Sequence, residues 1–160
     1  MKDRLFFVLL AASILSGCGA TGRLYPVRGP LSAQAPAPVL VAKLTGAFNS
    51  GNISVVLADG EVCKGRWATV PRPRVSIGSA AATAAPAENM SPEWDTVYGT
   101  GFYVSHVLGA RLYAHAQLQG DRGSVLTVEM WKPEEREGNN VGAMKGVAKD
   151  TKENVYKLAF

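Results

Sequence analysis

The sequence predicts a mainly β fold: an antiparallel meander forming a small barrel or a sandwich, with one short helix after an alanine-rich loop. Three observations carry this expectation. Beyond residue 39 the apolar residues recur with a period of two more than with a period of 3.6. The segments patterned in this way are short and closely spaced. Turn residues separate several of them, as at Asp59-Gly60, Gly109 and Gly120-Asp121-Arg122-Gly123.

The first expected strand covers 39–48. The run NISVVLADGEVCKGRW, 52–67, then reads as a hairpin. Ile53, Val55 and Leu57 share one face, and Asp59-Gly60 suits a tight turn because both residue types tolerate positive φ. On the return strand Glu61, Cys63, Gly65 and Trp67 share a face, with Cys63 and Trp67 as the natural inward residues. Further strands are expected at 68–77, 101–108, 111–119, 124–132, 141–148 and 154–160. Residues 78–90, GSAAATAAPAENM, read as a loop, since Pro86 would break a long helix. Ser91-Pro92-Glu93 then has the order of a helix start, with serine as cap and proline at the first helical position, and Gly99 is the expected stop. The stretch Gly51–Val56 resembles Gly123–Val128, and each is followed downstream by a lysine-glycine pair, after Cys63 and after Met144. Such a repeat would place Cys63 and Met144 in matching apolar sites.

The first residues have a different character. Lys2 and Arg4 precede LFFVLLAASIL, 5–15, an apolar run with only Ser13 polar. That length matches the centre of a secretory signal and falls short of the ~20 residues of a membrane-spanning helix. Leu15-Ser16-Gly17-Cys18 follows. It resembles the bacterial lipobox, and the resemblance implies cleavage before Cys18, acylation of its thiol and new amino group, and anchoring of the chain in a membrane. Gly19, where an aspartate is absent, is similar to lipoproteins sent to the outer membrane. The expected organisation is a signal peptide over 1–17, a lipidated cysteine and flexible tether over 18–38, and a single β domain over 39–160. The Gly, Ala and Pro content of 19–38 suggests the tether. Within it, Leu24-Tyr25-Pro26-Val27 reads as a segment that docks on the domain or contacts a neighbour.

The lipobox, YPVRGPL, LADGEVCKGRW and the ending GVAKDTKENVYKL together resemble a family of small uncharacterised lipoproteins of Gram-negative bacteria. That resemblance implies a glycine-rich β body and a tail motif formed here by Gly146, Asp150 and Tyr156. It implies a place in the cell envelope, facing the periplasm from the outer membrane, and carries no activity with it.

The chain's formal net charge of +4 steers only weakly. Arg66, Arg72 and Arg74 lie beside Trp67, Pro71 and Pro73, and read as solvated arginines on a proline-punctuated connection. No nucleic-acid partner is expected of a secreted chain. With Cys18 taken by lipid, Cys63 has no intramolecular partner and behaves as a small buried apolar residue.

No convergent catalytic set or cofactor site is expected. His106 and His115 would face each other if 101–108 and 111–119 paired about Gly109-Ala110. Two histidines fall short of a zinc site, and Asp95 and Asp121 have no fixed spacing to them. Ser105 and His106 are strand neighbours and point to opposite faces. Glu134, Glu135 and Glu137 sit in a polar stretch, KPEEREGNN. Gly65-Arg66-Trp67 matches the Gly-x-Trp of lipocalins, although it ends the second strand of a hairpin instead of opening the first barrel strand. The sequence therefore favours a membrane-anchored, non-enzymatic lipoprotein with a binding or envelope-structural role. The alternative is a lipocalin-like carrier of a small hydrophobic ligand, its cavity lined by Phe102, Tyr103, Tyr113, Trp131 and Tyr156. A protein partner is the other open possibility.

Overall fold

The structure is a computed structural model that describes residues 19–47, 49–70, 90–108, 112–132 and 144–160. Eight strands appear among them: β1 (Gly19–Arg28), β2 (Leu40–Ala47), β3 (Ser50–Val56), β4 (Val62–Thr69), β5 (Leu112–Gly120), β6 (Val125–Lys132), β7 (Lys145–Asp150) and β8 (Val155–Ala159). Each pairs antiparallel with the next, and β8 pairs with β1, so the sheet closes into a barrel in simple chain order. Of the two architectures expected, the barrel is the one formed.

Alternation decides which residues enter the core. Leu40, Ala42 and Leu44 of β2, Ile53 and Val55 of β3, Leu126, Val128 and Met130 of β6, and Tyr156 and Leu158 of β8 all point inward and form one cluster. The Asp59-Gly60 hairpin forms as expected, with Val55 opposite Cys63 and Gly60 at φ 82°. Cys63 is fully buried, and Trp67 packs half-buried against the core while its indole N–H donates to the Thr45 carbonyl (3.2 Å). A barrel of this strand number is just wide enough for side chains to fill. Small inward residues, Gly22, Ala42, Gly65, Ala114, Ala116 and Ala148, make room for the large ones.

The expected tether does not begin where the composition suggested. Residues 19–28 are β1, hydrogen-bonded to β2 from Gly19↔Thr45 to Leu24↔Leu40 and to β8 from Arg23↔Ala159 onward. Leu24 is completely buried. The inward positions Ala20, Gly22 and Leu24 are mostly small for a physical reason. A Cβ on Gly22 would stand 2.9 Å from both Leu158 Cδ1 and the Phe160 ring, which already occupy that part of the interior. Only 29–39, with its 3₁₀ turn Pro30–Ala33, serves as a connection. The β domain therefore includes residues 19–28, which the expected boundary at 39 left outside it.

A second correction concerns 101–108. In place of a strand, Tyr103–Val107 form a π-helical turn, closed by the Leu108 N–H on the Tyr103 carbonyl (2.9 Å). Phe102 and His106, four apart, stack at 4.4 Å, a helical spacing that the apparent alternation concealed. The helix expected after the alanine-rich loop is present as α1 (Ser91–Tyr98), ended by Gly99 at φ 106°. Ser91 lies inside it and Met90 takes the cap position, without a side-chain cap. β4 ends at Thr69, and the rest of the expected 68–77 strand, from 71, falls outside the described residues, as does the loop over 78–89.

The proposed repeat holds only in its second half. Cys63 and Met144 both pack against the core, and Gly65 and Gly146 both face inward. Upstream the phases are opposed: Ile53 and Val55 point inward, whereas their counterparts Val125 and Thr127 point outward, because Leu126 and Val128 fill the interior.

The α1 segment and the π-helical turn cover the outer face of β6–β8. Met90, Trp94, Val107, Trp131 and Val147 form a second apolar cluster there. Trp94 is fully buried, and its indole N–H donates to Glu129 Oε2 at 2.7 Å.

Leu118 is fully buried at the centre of the barrel, whereas Asn52 points outward. Leu118→Ala should lower the stability of the chain by about 2–5 kcal/mol in urea denaturation. Asn52→Ala should stay within about 0.5 kcal/mol.

Candidate functional site

One mouth of the barrel is laced by carboxylates on the hairpin turns. Glu61 Oε1 accepts the backbone N–H groups of Arg122 and Ser124, each at 2.9 Å, and its Oε2 accepts the Ser124 hydroxyl at 2.6 Å. This joins the β3–β4 turn to the β5–β6 turn. Asp59 reaches both Arg122 Nη2 (3.2 Å) and Lys152 Nζ (2.8 Å), adding the β7–β8 turn. Asp150 is buried and accepts from the Tyr156 hydroxyl (2.7 Å), the Asn154 amide side chain (2.9 Å) and the backbone N–H groups of Lys152 and Asn154. Asn154 Oδ1 in turn accepts from the Leu31 N–H (2.9 Å), which ties the β1–β2 connection over the same mouth.

These partners set the ionisation of the groups. The Lys152 ammonium, with the Glu61 backbone N–H, holds Asp59 down at about 2. Hydrogen bonds from Ser124 hold Glu61 below the usual carboxylate range. Burial, followed by the hydrogen bond to Asp150, raises Tyr156 and keeps its hydroxyl a donor. Burial also pushes the Cys63 thiol up to about 11, so it stays protonated and inert near neutrality. Of the tail motif, Asp150 and Tyr156 are joined directly, and a Cβ on Gly146 would stand 2.7 Å from the Glu129 carbonyl. The motif is a structural clamp.

Beside the helical layer lies a groove of about 470 Å³, lined among others by Met90, Glu93, Gln117, Thr127, Lys149 and Glu153. Lys149 Nζ lies 3.7 Å from Glu93 Oε1 and 3.2 Å from Glu153 Oε2, and with Asp150 also in the lining the groove keeps an excess of carboxylates. The groove is polar enough for a small hydrophilic molecule. Its described lining includes no cysteine, histidine or serine.

The residues singled out by sequence are dispersed. His106 sits in the helical layer, stacked on Phe102 and edge-on to Trp131 at 5.8 Å. His115 is on β5, opposite Ala68 and Glu129 in the sheet register. The expected facing pair does not form, because its first strand is helical. Asp95 accepts from the Tyr103 N–H (3.1 Å), and Asp121 from the Val62 N–H (3.2 Å). Ser105 donates to the Gly101 carbonyl. No group of metal-ligating residues occurs among the described residues. Leu15, Ser16, Gly17 and Cys18, with Glu134, Glu135 and Glu137, lie outside them.

Phe102, Tyr103 and Trp131, expected to line a cavity, lie on the outside of the barrel beneath or within the helical layer. Tyr156 is inside but packed in the core, and the side chain of Tyr113 falls outside what is described. Sequence reasoning missed the carboxylate lacing. The available signal was an aspartate in each of three turns, Asp59, Asp121 and Asp150.

No protein-family model matches the chain, and no curated protein or solved structure matches it significantly.

Two outcomes follow from this chemistry. Asp59 and Glu61 are held below their ordinary values of 3.8 and 4.5, so their contribution is complete above that range and is lost as pH falls through it toward about 2. The urea midpoint should therefore drop between about pH 4 and pH 2, and Asp59→Asn should show a smaller drop over the same interval. An unchanged drop would place the sensitivity elsewhere. Cys63 should resist a thiol reagent in the native protein at neutral pH and react stoichiometrically once the chain is unfolded.

Proposed function

We propose that the chain is a lipid-anchored protein of the bacterial cell envelope, with a non-enzymatic barrel that serves binding or envelope structure. The observation that carries this reading is the order of residues 2–19. A basic start, an apolar run of signal length and Leu15-Ser16-Gly17-Cys18 lead directly into Gly19, the first residue of β1. Acyl chains on Cys18 supply the membrane affinity, each buried methylene contributing about 0.8 kcal/mol. Gly19 after the cysteine favours the outer membrane, with the barrel facing the periplasm. The non-enzymatic part of the reading draws support from the polar mouth, where Glu61, Asp150 and Tyr156 are committed to one another and to backbone.

The closed meander supports a second reading, because lipocalins close eight strands in the same way. In that reading the barrel carries a small hydrophobic ligand. The filled interior weighs against it, since inward side chains from every strand meet in one cluster.

Cys18→Ser should move the protein from the membrane fraction to the soluble or precursor fraction, with loss of the acyl mass from the intact protein. A variant that still sediments with membranes after an alkaline wash would overturn the anchor. Native mass spectrometry of the chain from Gly19 to Phe160 tests the carrier reading: a co-purifying apolar ligand would favour it, and an empty barrel would remove it.

A further inference from the structure

We propose that the outer face of β1–β4 is a docking surface for an anionic membrane, against which the barrel lies on its side. The helical layer covers the opposite wall, β6–β8, and among the described residues it does not extend over this one. Its outward positions carry Arg23, Lys43, Lys64 and Arg66, all exposed, and none of the four is ion-paired among the described residues. No aspartate or glutamate occurs from residue 19 to residue 58, nor within β4.

The register turns these residues into rows. Arg23 lies opposite Val41, and Val41 opposite Val56 on the next strand. The two valines are 43% and 49% exposed, far more than valines in the core. The next outward row places Lys43 and Lys64 on either side of Ser54. Valines flanked by cations, with no carboxylate among them, match the interface of a bilayer with anionic headgroups: apolar side chains enter the boundary and the cations meet phosphate.

Chain position favours a membrane over an acidic protein. β1 is part of this face, and Cys18 is joined directly to its first residue. One residue spans only about 3.5 Å, so an acylated Cys18 holds β1 at the lipid surface without slack. The inference thus deepens the anchored reading above by naming the face that meets the lipid.

The test uses the chain from Gly19 to Phe160, which holds all eight strands and lacks Cys18, so failure here leaves the anchor itself standing. It should co-sediment with vesicles of phosphatidylcholine and phosphatidylglycerol, and much less with phosphatidylcholine alone. Binding should weaken as salt approaches about 0.5 M, where screening shortens to roughly 4 Å. Lys43→Gln/Lys64→Gln should lower the partition coefficient about 30-fold, and Arg23→Gln alone about fivefold. Lys145→Gln/Lys157→Gln removes the same charge from the wall under the helical layer, where both ammonium groups lie over the Tyr98 ring, and should change it less than about threefold. Circular dichroism of each variant confirms the barrel. The proposal is overturned if the anionic vesicles are not bound, if both lysine pairs lose binding equally, or if polyglutamate is bound while the vesicles are not. The last outcome would assign the face to an acidic protein.

Discussion

A sheet that curls without meeting itself leaves two rows of unpaired N–H and C=O groups, each a template for pairing with another chain. Here one strand removes both rows. β1 pairs with β2 along one side and with β8 along the other, and the rest of the architecture depends on that double pairing. The β1–β8 seam accommodates Pro26, which lacks an N–H, through a register shift between Pro26 and Arg28. Closure also fixes the interior volume, which is why glycine and alanine alternate with leucine and tyrosine on the inward positions. The small residues complement the large ones across the axis, and the core needs both.

Once closed, the barrel is differentiated around its circumference and along its axis. One mouth is stitched by Asp59, Glu61 and Asp150 through charge-assisted hydrogen bonds, which are stronger than neutral ones and satisfy several backbone donors at once. One wall is sealed by aromatic packing around Trp94, including its hydrogen bond to Glu129. The remaining wall, β1–β4, is basic and partly apolar among the described residues. The other mouth holds the first residue of β1, next to the site of the proposed anchor. Structural polarity of this kind suits a body held in one orientation.

How much of this was legible in the sequence varied with the range of the interactions involved. The Asp59-Gly60 hairpin was readable because its turn and alternation are local. The strands at 111–119, 124–132 and 154–160 were readable for the same reason. β1 was not, because its inward residues are small to fit Leu158 and Phe160, which lie more than a hundred positions away. The π-helical turn was missed because FYVSHV alternates loosely, and only the stack of Phe102 on His106 and their contact with Trp131 fix it as helical. The carboxylate lacing joins turns far apart in sequence, so an aspartate in each turn read as turn chemistry alone. Of the candidate site residues, the histidines were misplaced with the strand that was to pair them. The lipobox remained a motif of position and residue type.

The seam between β1 and β8 joins the first described residues of the chain to the last. Contacts of such sequence separation carry a large loop-closure entropy, and topologies built on them fold slowly. Until β8 is in place, β1 exposes one edge to whatever lies beside it, and the barrel's assembly waits on its final residues. A nascent or trimmed chain that lacks Val155–Ala159 has two open edges and no intermediate stopping point at which both are protected.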